Sequence, residues 1–334
     1  MNSKRPHPHL YLVRDKQPPE PSLDYEITQD NRVKVVQAAQ PDTAKVYPPK
    51  SRLKIYLSIM KPITWVPVVW SFWCGAIGSG GLKWTVDDIG KLWLGLLLSG
   101  PLLCGMSQAI NDYFDREVDA VNEPDRVIPS QRITLYETVR VIACLGCFGL
   151  FVAYFLGQTV LLLSLSGIIL GHLYSAPPVR LKAQTWLGPL TSAVAYILLP
   201  WLAATSVFGT IGWRTVLLAS IYTVGAMGIM ISNDFKSIFG DFTLKLPSVP
   251  VVYGTRTAAK LACIFMDGAQ VSVAIFLFLE GHWLASAIIV ALLLPQLYLQ
   301  RFFIAQPLAR AIWYNARGQN FYVLGMLIAA WLTI

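Results

Sequence analysis

The chain contains few charged residues: Asp, Glu, Lys and Arg make up 14% of its 334 residues, whereas hydrophobic residues make up 54%. Ordinary soluble proteins carry about 25% charged residues, so this composition excludes that class and indicates an integral membrane protein. Several patterns that carry chemistry are also missing, namely G-x-S-x-G, the P-loop, the dinucleotide-binding glycine pattern and H-E-x-x-H. Hydrolase, ATPase and oxidoreductase functions therefore lack support.

Cysteine is scarce as well, with five residues that all fall in or near apolar stretches. Cys144 and Cys147 form a C-x-x-C pair, but neither a second pair nor a histidine cluster accompanies it to complete a zinc site. The sequence therefore predicts no disulfide framework, and the cysteines are interpreted as packing residues.

Long apolar runs are abundant, in line with a mean hydropathy of +0.51. A helix of about 20 apolar residues crosses a bilayer, and nine such stretches can be placed along the chain. They are residues 62–80, 91–111, 134–156, 158–176, 186–208, 213–233, 258–280, 282–303 and 317–334. The predicted fold is all-α, with nine transmembrane helices in a multi-pass membrane protein.

The distribution of Lys and Arg predicts how these helices are oriented, because basic residues are retained on the cytoplasmic side. Of the 27 Lys and Arg residues, only Lys83, Lys91 and Arg214 fall on the opposite side. The N-terminus is therefore predicted to be cytoplasmic, with residues 1–50 as a flexible tail ahead of a transmembrane domain at 51–334. This topology explains the net charge of +8, so no nucleic-acid partner is needed.

Most acidic residues beyond Lys61 fall in two short polar stretches, Asn111–Arg126 and Asn233–Asp241, and each follows a long apolar run. Carboxylates are costly at a membrane boundary and are functional candidates there by default. The Asn-Asp pair of the second stretch follows that of the first by 122 residues, or four predicted helices. This offset predicts an internal four-helix pseudo-repeat with a polar site at its junction, and coincidence between two helix ends is the alternative.

The first stretch predicts a metal site. If the second predicted helix continues past Asn111, then Asp112, Asp115 and Asp119 occupy positions i, i+3 and i+7 and share one face. Three carboxylates this close repel one another unless a cation lies between them. Mg²⁺ suits this arrangement because it commonly bridges a few carboxylates to substrate phosphates, and Asn111 can add a neutral oxygen or orient a diphosphate.

The second stretch repeats the spacing, with Asp234 and Asp241 seven residues apart and predicted to share a helical face. Lys236 lies between them and could contact a phosphate. A lysine at a cytoplasmic helix end that satisfies only the charge rule is the alternative.

Basic residues are expected at the same entrance. A Pro-Pro pair in the sequence HLYSAPPVRLK ends the fourth predicted helix, so that Tyr174 just before it and Arg180 and Lys182 just after it lie at the cytoplasmic side. Arg126, just beyond the first stretch, lies on that side as well. Arginine and lysine side chains there could neutralise a departing diphosphate.

These features resemble the UbiA superfamily of intramembrane prenyltransferases, through N-D-x-x-D-x-x-x-D at Asn111–Asp119, the second acidic motif and the nine spans. Further segments resemble its chlorophyll and bacteriochlorophyll synthases, and the bacteriochlorophyll branch in particular. They are KPITWVP at Lys61–Pro67, SGP at Ser99–Pro101, DAVNEPDRVIPS at Asp119–Ser130, YSAPPVRLK at Tyr174–Lys182, NDFKS at Asn233–Ser237, WYN at Trp313–Asn315 and YVLGM at Tyr322–Met326.

The resemblance implies a UbiA-like bundle in an inner or photosynthetic membrane that joins a polyprenyl diphosphate to the propionate carboxyl of a (bacterio)chlorophyllide, with Mg²⁺ as cofactor. Proteins of pigment biosynthesis or assembly could be further partners. By motif, the catalytic and metal-binding residues are expected to be Asp112, Asp115, Asp119, Asp234 and Asp241. The residues expected to contact the diphosphate are Asn111, Arg126, Tyr174, Arg180, Lys182, Asn233 and Lys236.

The chain departs from the family pattern at several positions. Phe239 stands where a Glu is usual, Phe242 where a basic residue is common, and Val127 with Gln131 replace the Pro and Gly of R-P-I-P-S-G. The change at Phe239 removes a candidate metal ligand. Three alternatives are therefore kept: a bacteriochlorophyll c synthase-type paralogue, another UbiA-type enzyme acting on a quinone or haem precursor, and a non-catalytic pigment-binding assembly protein.

Overall fold

The computed structural model of the chain describes residues 24–27, 33–37, 51–243 and 245–332. Asp24–Ile27 (β1) and Val33–Gln37 (β2) form an antiparallel hairpin in which Ile27 pairs with Val33. This part of the predicted flexible tail therefore has paired backbone, and the rest of residues 1–50 lies outside the described ranges.

Every other regular element in the described residues is helical, as predicted. The α-helices are α1 (Arg52–Met60), α2 (Trp65–Ile77), α3 (Val86–Leu97), α4 (Gly105–Asn122), α5 (Leu135–Leu156), α6 (Gln158–Ser175), α7 (Leu187–Ala193), α8 (Leu199–Phe208), α9 (Trp213–Asn233), α10 (Ile238–Thr243), α11 (Val249–Tyr253), α12 (Thr255–Leu279), α13 (Trp283–Ala305), α14 (Pro307–Arg317) and α15 (Gln319–Trp331). The 3₁₀ turns are Pro62–Thr64, Leu181–Ala183 and Asp234–Lys236, and the π-helical turns are Leu98–Cys104 and Val194–Leu198.

Eight helical segments of the described chain are long and apolar enough to cross a membrane. They are Arg52–Ile77, Val86–Ala120, Leu135–Leu156, Gln158–Ser175, Leu187–Phe208, Trp213–Lys236, Thr255–Leu279 and Trp283–Ala305. The count of nine is not confirmed, because the predicted span 317–334 contains as described helix only Arg317, the last residue of α14, and the 13 residues of α15. At 1.5 Å per residue, 13 residues give about 20 Å, which is shorter than the hydrocarbon core of about 30 Å.

The outer surface of the bundle is strongly apolar. On α5, for example, Phe151, Tyr154 and Phe155 are 58%, 69% and 64% exposed. Soluble monomers rarely expose such contiguous apolar patches, so lipid contact explains this surface.

The interior is held by close helix packing, in which α9, α12, α13 and α15 form the largest apolar cluster together with α2 and α8. A Cβ at Gly228 of α9 would lie 2.2 Å from the carbonyl oxygen of Ala262 on α12. Glycine at this position therefore allows the two backbones to approach each other, as small residues commonly do in membrane bundles.

The acidic motifs lie at equivalent places in this bundle. The first is at the end of the second candidate span and the second is at the end of the sixth, as the four-helix offset predicted. Helix α4 continues past Asn111 to Asn122, and α6 ends at Ser175 before the Pro-Pro pair, both as expected.

One helical prediction is wrong. Asp234 and Asp241 do not share a continuous helical face, because α9 ends at Asn233 and a 3₁₀ turn, then Ser237, precede α10. Ser237 Oγ lies 3.3 Å from the carbonyl oxygen of Asp234 and 3.1 Å from Asp241 Oδ2, and it can donate its single proton to either. Such local serine bonds compete with helix continuation.

Candidate active site

Asp112 is the most buried aspartate of the first motif, with 3% of its surface exposed. Its Oδ1 accepts hydrogen bonds from Lys61 Nζ at 2.6 Å and from Arg126 Nη1 at 3.3 Å. The same Nη1 donates to Asp119 Oδ2 at 2.8 Å, and Arg126 also binds Glu123 with two bonds of 2.5 and 2.8 Å. One guanidinium thus bridges two of the three aspartates, and Lys61 adds a second positive charge beside Asp112.

Asp115, one turn along α4, is paired with both basic residues of the segment that follows α6. Arg180 Nη2 donates to its Oδ1 at 3.1 Å, and Lys182 Nζ donates to its Oδ2. Burial lowers the pKa of Lys182, although the nearby charge of Asp115 favours the protonated form. In this conformation each aspartate of the first motif is therefore neutralised by a basic side chain.

The second motif is arranged differently. Asp241 accepts a hydrogen bond from Ser237 Oγ at 3.1 Å, and burial raises the pKa of this carboxyl. Asp234 is half-buried and lies near the negative charge of Asp241. Within the part of the chain that the structure describes, the Asp234 carboxylate has neither an ion-pair partner nor a hydrogen-bond donor. It is a carboxylate without a counter-ion.

A cavity of about 1230 Å³ brings the two motifs together. The predicted site residues on its wall are Asn111, Asp115, Asp119, Arg126, Tyr174, Lys182, Asn233, Asp234, Lys236 and Asp241. Asp112 and Arg180 are not on the wall and instead contact residues that are. Apolar side chains complete the wall, among them Val66, Trp70, Val323 and Met326. The cavity therefore offers a charged end and an apolar surface to one ligand.

The chemistry of these residues fits a divalent cation, since carboxylate oxygens are the ligands that Mg²⁺ prefers. Asp234 is the clearest candidate, because it is a half-buried carboxylate on the cavity wall without a compensating charge among the described residues. Among the described residues, however, no three Asp, Glu, His or Cys side chains stand close enough together to hold an ion. The aspartates of the first motif, between which the cation is expected, form ion pairs with Lys61, Arg126, Arg180 and Lys182.

Sequence reasoning missed two residues that contact the motifs. Lys61 is 51 residues from Asp112, and no helical spacing connects them. Asn315 donates to Asn233 Oδ1 at 2.9 Å across 82 residues. In the sequence, Lys61 and Asn315 stood out only as members of the segments KPITWVP and WYN. These segments indicated a family resemblance but no role for either residue.

The pattern of the UbiA prenyltransferase family matches residues 64–331. The chain belongs to this family. Among relatives of this UbiA chain, the chloroplastic chlorophyll synthase of Arabidopsis thaliana is 40% identical over 288 residues, which cover 84% of this chain and 74% of that protein. The bacteriochlorophyll synthase 34 kDa chain of Chloroflexus aurantiacus is 41% identical over 274 residues, covering 82% and 88% respectively.

Solved structures share the fold of this UbiA chain. A digeranylgeranylglyceryl phosphate synthase matches with a TM-score of 0.64 and 20% identity, over 84% of this chain and 98% of the other. A UbiA homologue from Archaeoglobus fulgidus, bound to GPP and Mg²⁺, matches with a TM-score of 0.61 and 21% identity, over 83% and 96%. At such low identity these matches establish the UbiA fold of the bundle.

Proposed function

We propose that the chain transfers a polyprenyl group, either geranylgeranyl, phytyl or farnesyl, from its diphosphate to the propionate carboxyl of a (bacterio)chlorophyllide. The products are a (bacterio)chlorophyll ester and diphosphate. Relatives of about 40% identity over more than four fifths of the chain are named chlorophyll and bacteriochlorophyll synthases, which supports this acceptor. The observation that carries the proposal is the single cavity that residues of both acidic motifs line together with basic residues and an apolar wall.

The acidic residues and the basic or neutral polar residues of the site have different proposed roles. Mg²⁺ would be held by the four aspartates on the cavity wall, namely Asp115, Asp119, Asp234 and Asp241. Asp112 is not on the wall and would act indirectly, by accepting a hydrogen bond from Arg126. When bound, Mg²⁺ offsets the negative charge that grows on the diphosphate as it leaves. Further diphosphate contacts come from residues at the same end of the cavity, namely Asn111, Arg126, Tyr174, Lys182, Asn233 and Lys236, and from Arg180 beside Asp115.

In the reaction the allylic C–O bond breaks, and its electron pair leaves with the diphosphate. An acceptor carboxylate oxygen then forms the new bond to the same carbon. The carboxylate is already ionised at neutral pH, so this step needs no strong base. The described wall of the cavity agrees, since it contains no histidine and its only glutamate, Glu123, is bound to Arg126. The apolar wall would keep water away from the reacting carbon.

We further propose that the charged end of the cavity faces the cytoplasm of an inner or photosynthetic membrane, with the N-terminus on the same side. The Lys and Arg distribution supports this orientation, because the opposite loops retain only Lys83, Lys91 and Arg214.

The proposal is tested with purified protein in lipid nanodiscs, given Mg²⁺, geranylgeranyl diphosphate and bacteriochlorophyllide, with mass spectrometry of the extracted pigment. An esterified pigment is expected. Parallel reactions with a quinone precursor or haem as acceptor identify another UbiA-type activity if only these turn over. Retention of pigment without turnover would instead favour a binding protein, to which the change at Phe239 gives its only support.

A further inference from the structure

Neutral polar side chains link α14 and α15 to the second acidic motif. Gln319 Nε2 lies 2.7 Å from Ser232 Oγ and 2.6 Å from Asn315 Oδ1. Asn315 Nδ2 in turn donates to Asn233 Oδ1 at 2.9 Å. Ser232 is fully buried and Gln319 is 9% exposed. We call Ser232, Gln319, Asn315 and Asn233 the amide chain.

The amide chain has a direction that a backbone carbonyl fixes. The carbonyl oxygen of Ser232 can only accept, and it lies 3.5 Å from Asn315 Nδ2, so this end of Asn315 is its NH₂ group. Asn315 Oδ1 then accepts from Gln319 Nε2 at 2.6 Å and from the Ser232 hydroxyl at 2.9 Å. Asn315 is thereby oriented with its NH₂ group toward Asn233. Asn233 consequently presents its oxygen to Asn315.

The other end of Asn233 is left as a pair of donors. In the described part of the chain, Asn233 Nδ2 has no acceptor, and both Asn233 and its neighbour Asp234 line the cavity. An NH₂ group at this place can bind an anionic oxygen, whereas a carbonyl oxygen there would repel it. The two orientations of one amide thus have opposite effects on an anionic ligand.

We infer that Asn315 and Gln319 are positioning residues, which hold Asn233 so that its amide donors face an oxygen of the prenyl diphosphate beside Asp234. This inference rests on the proposed function for the identity of the ligand. Neither residue needs to touch the diphosphate, since each acts through the hydrogen bonds that end at Asn233.

The test is the dissociation constant for geranylgeranyl diphosphate, measured with Mg²⁺ and without any tetrapyrrole. Asn315→Asp replaces the donor to Asn233 with a carboxylate, which attracts the Asn233 NH₂ group and turns its oxygen to the cavity. We expect binding about 10- to 100-fold weaker, as for loss of a hydrogen bond to a charged group. Asn315→Ala adds no charge and should weaken binding less, which provides a second variant if the first is poorly folded.

The matched control is Asn320→Asp, which adds the same charge to the same cavity. Its Nδ2 donates to the carbonyl of Ala316 within its own helical turn, outside the amide chain. Equal weakening by Asn320→Asp and Asn315→Asp would overturn the inference, because the effect would be simple charge repulsion. We expect less than a threefold change for Asn320→Asp.

A double-mutant cycle separates positioning from an independent contact. In an Asn233→Ala background, Asn315→Asp should weaken binding no further; full additivity would refute the inference. Because no acceptor is present, wild-type binding without pigment esterification would reject only the proposed function. Absence of binding by the wild-type chain would reject both.

Discussion

Replacement of Lys61 by Met should destabilise the folded chain, because it leaves Asp112 as a buried charge with one fewer partner. Lys61 Nζ and Asp112 Oδ1 are 2.6 Å apart, and the two side chains are 23% and 4% exposed. Removal of one partner of a buried ion pair costs about 3–5 kcal/mol. Arg126 remains at 3.3 Å from the same oxygen and Lys61 is partly exposed, so we expect about 2 kcal/mol. Met retains a Cβ, so the left-handed backbone at Lys61, with φ of 47°, is strained in both proteins.

The free energy of unfolding is measured by denaturant titration in micelles, next to Lys91→Met as the matched control. Lys91 pairs with Asp87, which is 73% exposed, so that change should cost far less than Lys61→Met. Asp112→Asn should recover most of the stability lost in Lys61→Met, because it removes the unpaired charge. The reasoning is refuted if Lys61→Met costs no more than Lys91→Met, or if the losses in the double variant simply add.

Three further outcomes are expected. Asp115→Ala should abolish ester formation while the protein still inserts and purifies normally; near-normal turnover, measured by pigment mass spectrometry, would remove the role of the first motif. Phe239→Glu adds a carboxylate to the cavity wall and should lower the Mg²⁺ concentration for half-maximal activity; an unchanged Mg²⁺ titration means that the missing carboxylate is not needed. Gly228→Ala should lower the melting temperature strongly, because the new Cβ meets the backbone oxygen of Ala262 at 2.2 Å, whereas Gly268→Ala, with open space around its Cβ, should not.

Elements defined by local sequence could be predicted. Apolar runs of sufficient length predicted membrane helices because run length and helical rise together fix a span. The spacing of Asp112, Asp115 and Asp119 predicted their common helix correctly, since one regular helix carries all three. The four-helix offset between the motifs also placed both at the same end of the bundle.

Features set by contacts between distant segments could not be predicted. The pairing of Lys61 with Asp112 and of Asn315 with Asn233 depends on how helices pack, and no periodicity within one helix records it. The helix is interrupted at Ser237, whose hydroxyl can bind the carbonyl of Asp234 or the carboxylate of Asp241, and serine is also tolerated inside many helices. Local helix interruptions and long-range polar contacts therefore could not be predicted from the sequence, although both determine the geometry of the candidate site.

The two motifs differ in what they need from a ligand. A diphosphate bound with a divalent cation carries both signs of charge, so the aspartates and bases of the first motif can exchange partners without leaving any buried charge unpaired. Such an exchange avoids the penalty of several kcal/mol for an isolated buried ion. Asp234 has no base to exchange among the described residues, and its carboxylate would gain a partner from the proposed cation. On the proposed function, the charges of the first motif are therefore paired both with and without a bound ligand. The second motif favours binding of a diphosphate that already carries its metal.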